Sequence, residues 1–490
     1  MTKRTYDDGI TLVGGGIMSL TLGVLINEIY PDYPINLIER LSDVSLESSS
    51  ALNNAGTGHA GYCELNYTPQ NKNGEINISQ AININEMFEN SLEFWAYLES
   101  KYKSFNCKKF LKKTPHISFV KGDHNIKFLK NRFKLLKKQP LFKEIEFSDD
   151  PRIINQWAPL LIFKDKEKEA FAATKVEHGT DINFGEVSKQ LLNLLKKNKN
   201  FHLYTNYNVE KISLQNNGLT NLEIKHRINK NSLKIKSNKI FIGAGGQSIP
   251  LLQKIGLKEA NGYAGFPLSG KWLISENKKI IAKHDAKIYG QAFKGAPPMS
   301  IPHLDLRLID GKKKLLFGPF AGFTFKFLKQ GSNLDLPKSV KINNIRSLIV
   351  VFLKNIPLLI YLIKQSLMNH ASRMKQLRFF YEDAKDIDWK LLDAGKRVQI
   401  IKNCPFEGSK LQFGTEVIFS KNKTIAALIG ASPGASVSAN AMSNVLIGMF
   451  GKETHKELKK IISSFESDLN SSAKKVATFR SKIYKQLGLW

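Results

Sequence analysis

The sequence predicts an α/β chain in which a Rossmann-like, dinucleotide-binding domain is interrupted by insertions and paired with a second, strand-rich domain. Three observations carry this reading. ITLVGGGIMSLTLG at 10–23 runs from an aliphatic strand through three glycines into a helix, INLIER at 35–40 reads as a second strand ending on an acid, and KIFIGAGG at 239–246 repeats the strand-then-glycine pattern much later. A 490-residue chain with 42% hydrophobic residues has enough material for a large core divided between two domains.

Taken in order, the first strand and its turn supply a phosphate-binding fingerprint. Gly14 permits the tight turn and Gly16 lets the backbone approach a pyrophosphate, whose charge suits a helix N-terminus. The third position is Ser19, small but not glycine, and Glu39 follows 25 positions after Gly14, where an acid meets a ribose hydroxyl. Phe88, Leu92, Trp95 and Leu98 repeat at helical spacing within 80–140, and HISFVKG at 116–122 interrupts them as a strand. TDINFGEVSKQLLNLLKKN at 180–198 reads as a turn and an amphipathic helix, and FHLYTNYNVEKISLQ and LEIKHRI alternate like strands. After Gly243, Gly245 and Gly246, positions 262–330 are rich in strands and Gly/Pro turns, 340–394 are helical, and ALIGASPGAS at 427–436 closes with a strand, a turn and a helix. These signals assign 1–80, 175–260 and 395–451 to the nucleotide domain, 81–174 and 261–394 to the substrate domain, and 452–490 to a basic helical tail.

Composition narrows the function. Cys63, Cys107 and Cys404 are far apart and odd in number, against a disulfide framework or a cysteine metal site, and they suit a reducing cytosol. Polar residues after Met1 and an immediate first strand predict no signal peptide. The net charge of +30 invites nucleic acid, anionic lipid or anionic substrates, but the lysines are scattered and read first as solvated faces. The most apolar stretch, 347–368, is broken by Lys354, Pro357 and Lys364, so no span of about 20 apolar residues exists. Pro357 is expected to separate two helices, either core helices or an interfacial segment with Phe352 and Leu359 toward lipid.

Nine ordered motifs carry a resemblance. LVGGGIMSLTLG, ESSSALNNAGTGHAGYCELNYTP, KVEHGTDINFG, FIGAGG, GYAGFPLSGKW, GAPPMSIPHLDLRLIDGKKKLLFGPF, AGKRVQII, LQFGTEV and ALIGASPGAS resemble the bacterial malate:quinone oxidoreductases from about residue 8 to about residue 450. Ser50–Leu52, Lys271 and the lysine-rich surface are atypical. The resemblance implies a D-amino-acid-oxidase-like fold of the glutathione-reductase group, with a mainly antiparallel substrate domain. It implies FAD as cofactor, (S)-malate as substrate and a membrane quinone as electron acceptor, a step of the tricarboxylic acid cycle. It also implies peripheral attachment to the cytoplasmic face of the inner membrane.

Oxidising a 2-hydroxy acid removes a hydride and a hydroxyl proton, so the site needs a base and cations for the carboxylates. By resemblance, His303 and Arg307 in PHLDLR, Arg397 in AGKRVQ and His59 in NNAGTGHAG are the catalytic candidates, with the arginines as carboxylate clamps and a histidine as base; His178 reads as structural. The cofactor would take Gly14, Gly15 and Gly16 at its pyrophosphate, Glu39 at the ribose and Arg40 at the adenine. Asn53, Asn54 and Gly56 would run along pyrophosphate and flavin, Gly245 and Gly246 along the resumed sheet edge, and Gly434 and Ala435 at a helix N-terminus facing the flavin. No metal site and no nucleic-acid partner are expected. A flavoenzyme for another 2-hydroxy or 2-amino acid is the alternative, and a tRNA-acting flavoprotein a remote one.

Overall fold

A computed structural model describes residues 9–161, 170–215, 218–291, 301–404, 408–431 and 434–490. Aliphatic residues bury both faces of a six-stranded sheet ordered Gly414–Phe419, Ile425–Ala431, Lys239–Ile242, Ile10–Val13, Ile35–Ile38 and Phe201–Tyr204. All neighbours pair in parallel except the first edge strand, with Ile10 in register with Lys239 on one side and Ile35 on the other. Strands buried on both faces are mostly apolar, and ITLV and INLI are buried throughout while KIFI is buried from its second residue. One face packs on the helices Ile17–Ile29, Phe184–Leu195 and Ser438–Phe450, through Leu20, Leu25, Leu191 and Leu446. The other packs on helix Ser248–Ile255 and an antiparallel meander, Tyr207–Leu214, Thr220–His226 and Ser232–Ser237.

The second sheet has nine strands, ordered Gly408–Gln412, Lys390–Cys404, Ala264–Ser275, Lys312–Phe323, His303–Ile309, Lys287–Tyr289, His116–Lys121, Phe171–Val176 and Glu146–Ser148. Every pair is antiparallel except Lys287–Tyr289 with His116–Lys121. The mainly antiparallel substrate domain expected from sequence is therefore present.

Three boundaries move. Strand Lys390–Cys404 runs through the expected 394/395 division, and the chain returns to the parallel sheet only at Gly414. Strand Phe171–Val176 likewise crosses 174/175. Helix Ser79–Lys101 packs against the nucleotide domain, because the apolar face of Phe88, Leu92, Trp95 and Leu98 shares a core with Leu20 and Leu25. The basic tail joins this same core: helices Thr454–Ile461 and Ala473–Leu487 bury Leu458, Ile483, Tyr484 and Leu487 there.

Pro357 separates two helices as expected. Ile345–Lys354 and Ile356–Leu367 meet at 79°, with the proline in the first turn of the second, where its missing N–H costs nothing. Phe352 and Leu359, expected to face lipid, instead pack toward the second sheet beside Phe266 and Phe323. The outward face carries Ile349, Leu353, Ile360, Ile363 and Leu367, which are 48–79% exposed. No single helix among the described residues is long and apolar enough to cross a membrane.

Candidate active site

The carboxyl ends of the parallel strands open into a cleft of about 760 Å³ that reaches the second sheet. At its start, Gly14 adopts a φ of +98°, and a side chain there would stand 2.7 Å from the Gly243 carbonyl of the neighbouring strand. This turn aims helix Ile17–Ile29 into the cleft, and its N-cap, Gly16, has no side-chain cap. Gly15, Gly16, Gly245 and Gly246 also line the cleft, as do Gly434 and Ala435 ahead of helix Ser438–Phe450. A Cβ on Gly16 would meet nothing closer than the Ser49 hydroxyl at 3.4 Å, so this position is kept free for something other than protein. Ser432 and Pro433 of ALIGASPGAS, and residues 295–300 of the motif before His303, lie outside the described residues.

Glu39 lies at the end of its strand as predicted. Its carboxylate accepts the Gly15 N–H at 2.7 Å and the Leu41 N–H at 2.8 Å, while the residue still lines the cleft. Burial raises its pKa, and those two N–H groups offset part of the rise. Arg40 donates to the Gln330 carbonyl at 2.9 Å, also on the cleft wall. The carboxamides of Asn53 and Asn54 brace their own loop: Asn53 donates to the Glu47 carbonyl at 2.8 Å, and Asn54 donates to Ser50 and accepts from the Gly56 N–H. Two glycine-lined helix ends and an acid at one cleft match what a dinucleotide requires.

The four catalytic candidates separate. Arg397 lines the cleft, and its guanidinium makes no hydrogen bond or ion pair among the described residues. Burial lowers its pKa, opposed by nearby Tyr289, yet a guanidinium stays charged at neutral pH. His59 lines the same cleft and places Nδ1 2.5 Å from the buried Glu64 carboxylate. His303 is set back from the wall, its ring stacked on Tyr289 at 4.2 Å and edge-on to Trp272, with Nδ1 2.7 Å from Asp305. Tyr289 is also set back from the cleft, its hydroxyl 2.7 Å from Oγ1 of Thr57, which lines it.

Arg307 departs from the expected carboxylate clamp. It is fully buried, pairs through Nε with Asp181 at 2.7 Å, and donates to the carbonyls of Ala51, Asn54 and Ile182. Its donors are spent on the 51–54 loop and the strand Thr180–Ile182, and Gly56, with a φ of +61°, packs so closely that a Cβ would stand 2.2 Å from Nη2.

Sequence reading missed the carboxylates behind the histidines and the lysine between them. Lys287 is fully buried, 2.9 Å from Asp181, 3.6 Å from Asp305, and donates to the Ala55 carbonyl at 2.8 Å. Burial pushes the Asp305 pKa up, but His303, Lys287 and Arg307 outweigh it and hold the carboxyl at about 2. A signal for Asp305 existed: His303, Asp305 and Arg307 alternate along one strand and share a face. Lys287, a single lysine in a short strand, had none.

A family model described as malate:quinone oxidoreductase (Mqo) matches residues 6–489, through the tail that the motifs did not reach. A probable malate:quinone oxidoreductase of Hahella chejuensis is 44% identical over all of this chain and 99% of its own. One of Tolumonas auensis is 47% identical over 96% of each chain. Among solved structures, the FAD-bound L-alpha-glycerophosphate oxidase of Mycoplasma pneumoniae is similar, with a TM-score of 0.59 and 15% identity over 92% of this chain and 96% of its own. Glycine oxidase of Geobacillus kaustophilus gives a TM-score of 0.59 and 13% identity over 91% and 95%. By sequence match across nearly its whole length, the chain belongs to the malate:quinone oxidoreductase family.

Proposed function

We propose that this chain oxidises (S)-malate to oxaloacetate on FAD held in the cleft and passes the electrons to a quinone. The observation that carries the substrate assignment is Arg397, an unpaired guanidinium in the wall where the cleft meets the second sheet. A planar fork without an internal partner suits a carboxylate, which it can bind by two parallel hydrogen bonds. The relatives' names supply malate and quinone, and the FAD-bound oxidase of the same fold supplies the cofactor.

The residues present fit FAD. Gly14, Gly15 and Gly16 with the helix behind them would take the pyrophosphate, Glu39 the ribose and Arg40 the adenine end. Asn53, Asn54 and Gly56 would follow the chain toward the flavin, with Gly245 and Gly246 beside it and Gly434 and Ala435 bringing a second helix N-terminus. Bound there, the flavin supplies a two-electron acceptor. The protein does the rest: Arg397 fixes a substrate carboxylate, and the candidate bases are His59 in the cleft wall and His303 behind it. Arg307, Lys287 and Asp181 clamp the cofactor loop at Ala51, Asn54 and Ala55 to the second sheet. The test is a visible spectrum of the purified protein followed anaerobically. Malate should bleach the flavin band, and lactate and 2-hydroxyglutarate should leave it; bleaching by another hydroxy or amino acid instead would move the assignment to that substrate.

The same reading places the enzyme peripherally on the cytoplasmic face of the inner membrane, where its quinone is dissolved. Support comes from the outward apolar face of Ile349, Leu353, Ile360, Ile363 and Leu367. Between Asp335 and Glu382 the chain has eight lysines and arginines and no acid. An apolar face inside a basic rim suits anionic lipid, at about 1 kcal/mol per well-placed cation.

A further inference from the structure

The site holds two histidine–carboxylate pairs, and they are not equivalent. His303 is 5% exposed and lies behind Tyr289, whereas His59 forms part of the cleft wall two residues beyond Thr57. His59 Nδ1 faces Glu64 at 2.5 Å, and Nε2 has no partner among the described residues. Glu64 is 2% exposed, and its second oxygen has no hydrogen bond. Its one side-chain partner is therefore His59. The loop that presents it is pinned from below by Arg132, fully buried, which donates to the carbonyls of Gly61 and Tyr62 and to the Thr68 hydroxyl. One Arg132 nitrogen also lacks a partner, which places an uncommitted positive charge near the Glu64 carboxylate. Burial raises the Glu64 pKa, but the hydrogen bond from His59, with His59 and His116 beside it, outweighs this and holds it below its ordinary value.

We propose that Glu64 is a positioning residue for this reaction: it holds His59 in the tautomer with its proton on Nδ1, so that Nε2 accepts the substrate's C2 hydroxyl proton. The inference rests on the malate-oxidising reading above. In the step, the O–H bond breaks toward Nε2, the C2–H bond breaks with its electron pair toward the flavin, and the C2–O bond becomes double. The imidazolium that remains faces the Glu64 carboxylate, which stabilises it without taking the proton. The pattern parallels the buried aspartate behind the histidine of serine hydrolases, where the amide replacement leaves the geometry but favours the wrong tautomer. The charged and titratable groups around His59 are Glu64, Tyr67, His116 and His303.

Glu64→Gln in the FAD-loaded enzyme tests this. Flavin content and malate KM should stay within about threefold of wild type, while the rate of flavin reduction by malate falls about 10²- to 10⁴-fold. The ionisation on the acid side of the wild-type pH profile should shift or vanish, and Glu64→Asp should restore part of the rate. An unchanged rate and pH profile in Glu64→Gln overturns the proposal. Should that variant fail to bind flavin, nitrogen NMR of histidine-labelled wild-type protein decides. His59 must show a protonated Nδ1 and a bare Nε2, and the opposite tautomer overturns the proposal. The NMR result does not depend on substrate, so failure of malate to reduce the wild-type flavin counts against the malate reading alone.

Discussion

Gly16 and Arg397 are the residues whose freedom from internal partners has a direct cost if removed. Gly16 has an ordinary φ of −83°, and an added Cβ would touch only the Ser49 hydroxyl at 3.4 Å, so Gly16→Val should fold while blocking the pyrophosphate. The variant should purify colourless with wild-type circular dichroism; full flavin content would refute the assignment. Arg397→Lys keeps the charge and loses the fork, and should weaken malate binding about 10- to 100-fold, corresponding to about 1.5–3 kcal/mol for a charge-assisted bond. That change would appear in KM and in flavin-perturbation titrations with oxaloacetate. What sequence could and could not reveal is clearest here. Gly14, Gly16 and Glu39 were legible because strand, turn, helix and acid come at fixed spacing along the chain. For Arg307, spacing identifies an arginine beside the site without counting its acceptors, and three carbonyls and Asp181 take its donors in the structure. Glu64 was invisible as a partner of His59 because the loop between them folds back, which no strand or helix period predicts.

Helices show the same division. The break at Pro357 was legible from the proline, but which faces of the two helices turn outward was not, since apolar residues occur all around them. Phe352 and Leu359 fill the groove beside Phe266 and Phe323, leaving Leu353 and Ile360 exposed. Leu353→Glu with Ile360→Glu should therefore abolish sedimentation with anionic liposomes at low salt and leave malate oxidation with a soluble dye intact. Wild-type binding should weaken as salt rises, because screening shortens to about 3 Å at 1 M. Wild-type protein that stays in the supernatant with anionic vesicles would end the membrane assignment. The tail helix Ala473–Leu487 is helical and basic as read from sequence, but which of its residues enter the core was not legible. Arg480 lies 2% exposed, donating to Glu89 at 3.1 Å, to the Tyr62 hydroxyl at 2.9 Å and to the Leu141 carbonyl at 2.9 Å. Arg480→Met strands Glu89 in the core and should cost about 3–5 kcal/mol in denaturant unfolding.

Across the whole molecule, the balance of buried titratable groups sets the response to acid. His116 and His284 are 1–2% exposed, and burial holds each pKa at about 4 against an ordinary 6.5; His178 and His303 are lowered by the same cause. Between those values the unfolded chain binds protons that the folded chain does not. Stability from these groups is thus present above pH 6.5 and lost as pH falls toward 4. Glu39, Glu86 and Glu89 act oppositely: burial raises their folded pKa above 4.5, and their contribution grows as pH falls through the raised values. Glu64 and Asp305, lowered by their partners, add acid sensitivity only below the ordinary carboxylate range. His116 and His284 each span about 2.5 units, worth about 3 kcal/mol apiece at 1.36 kcal/mol per unit. The melting temperature at constant flavin loading should therefore fall between pH 7 and pH 5, before the carboxylates that are ionised in the fold begin to titrate. His284 does not line the cleft and bonds only backbone, at the Leu304 carbonyl, so His284→Gln should flatten that slope while flavin reduction by malate stays within about threefold of wild type. A slope that His284→Gln leaves unchanged would show that burial of this histidine does not set the acid response.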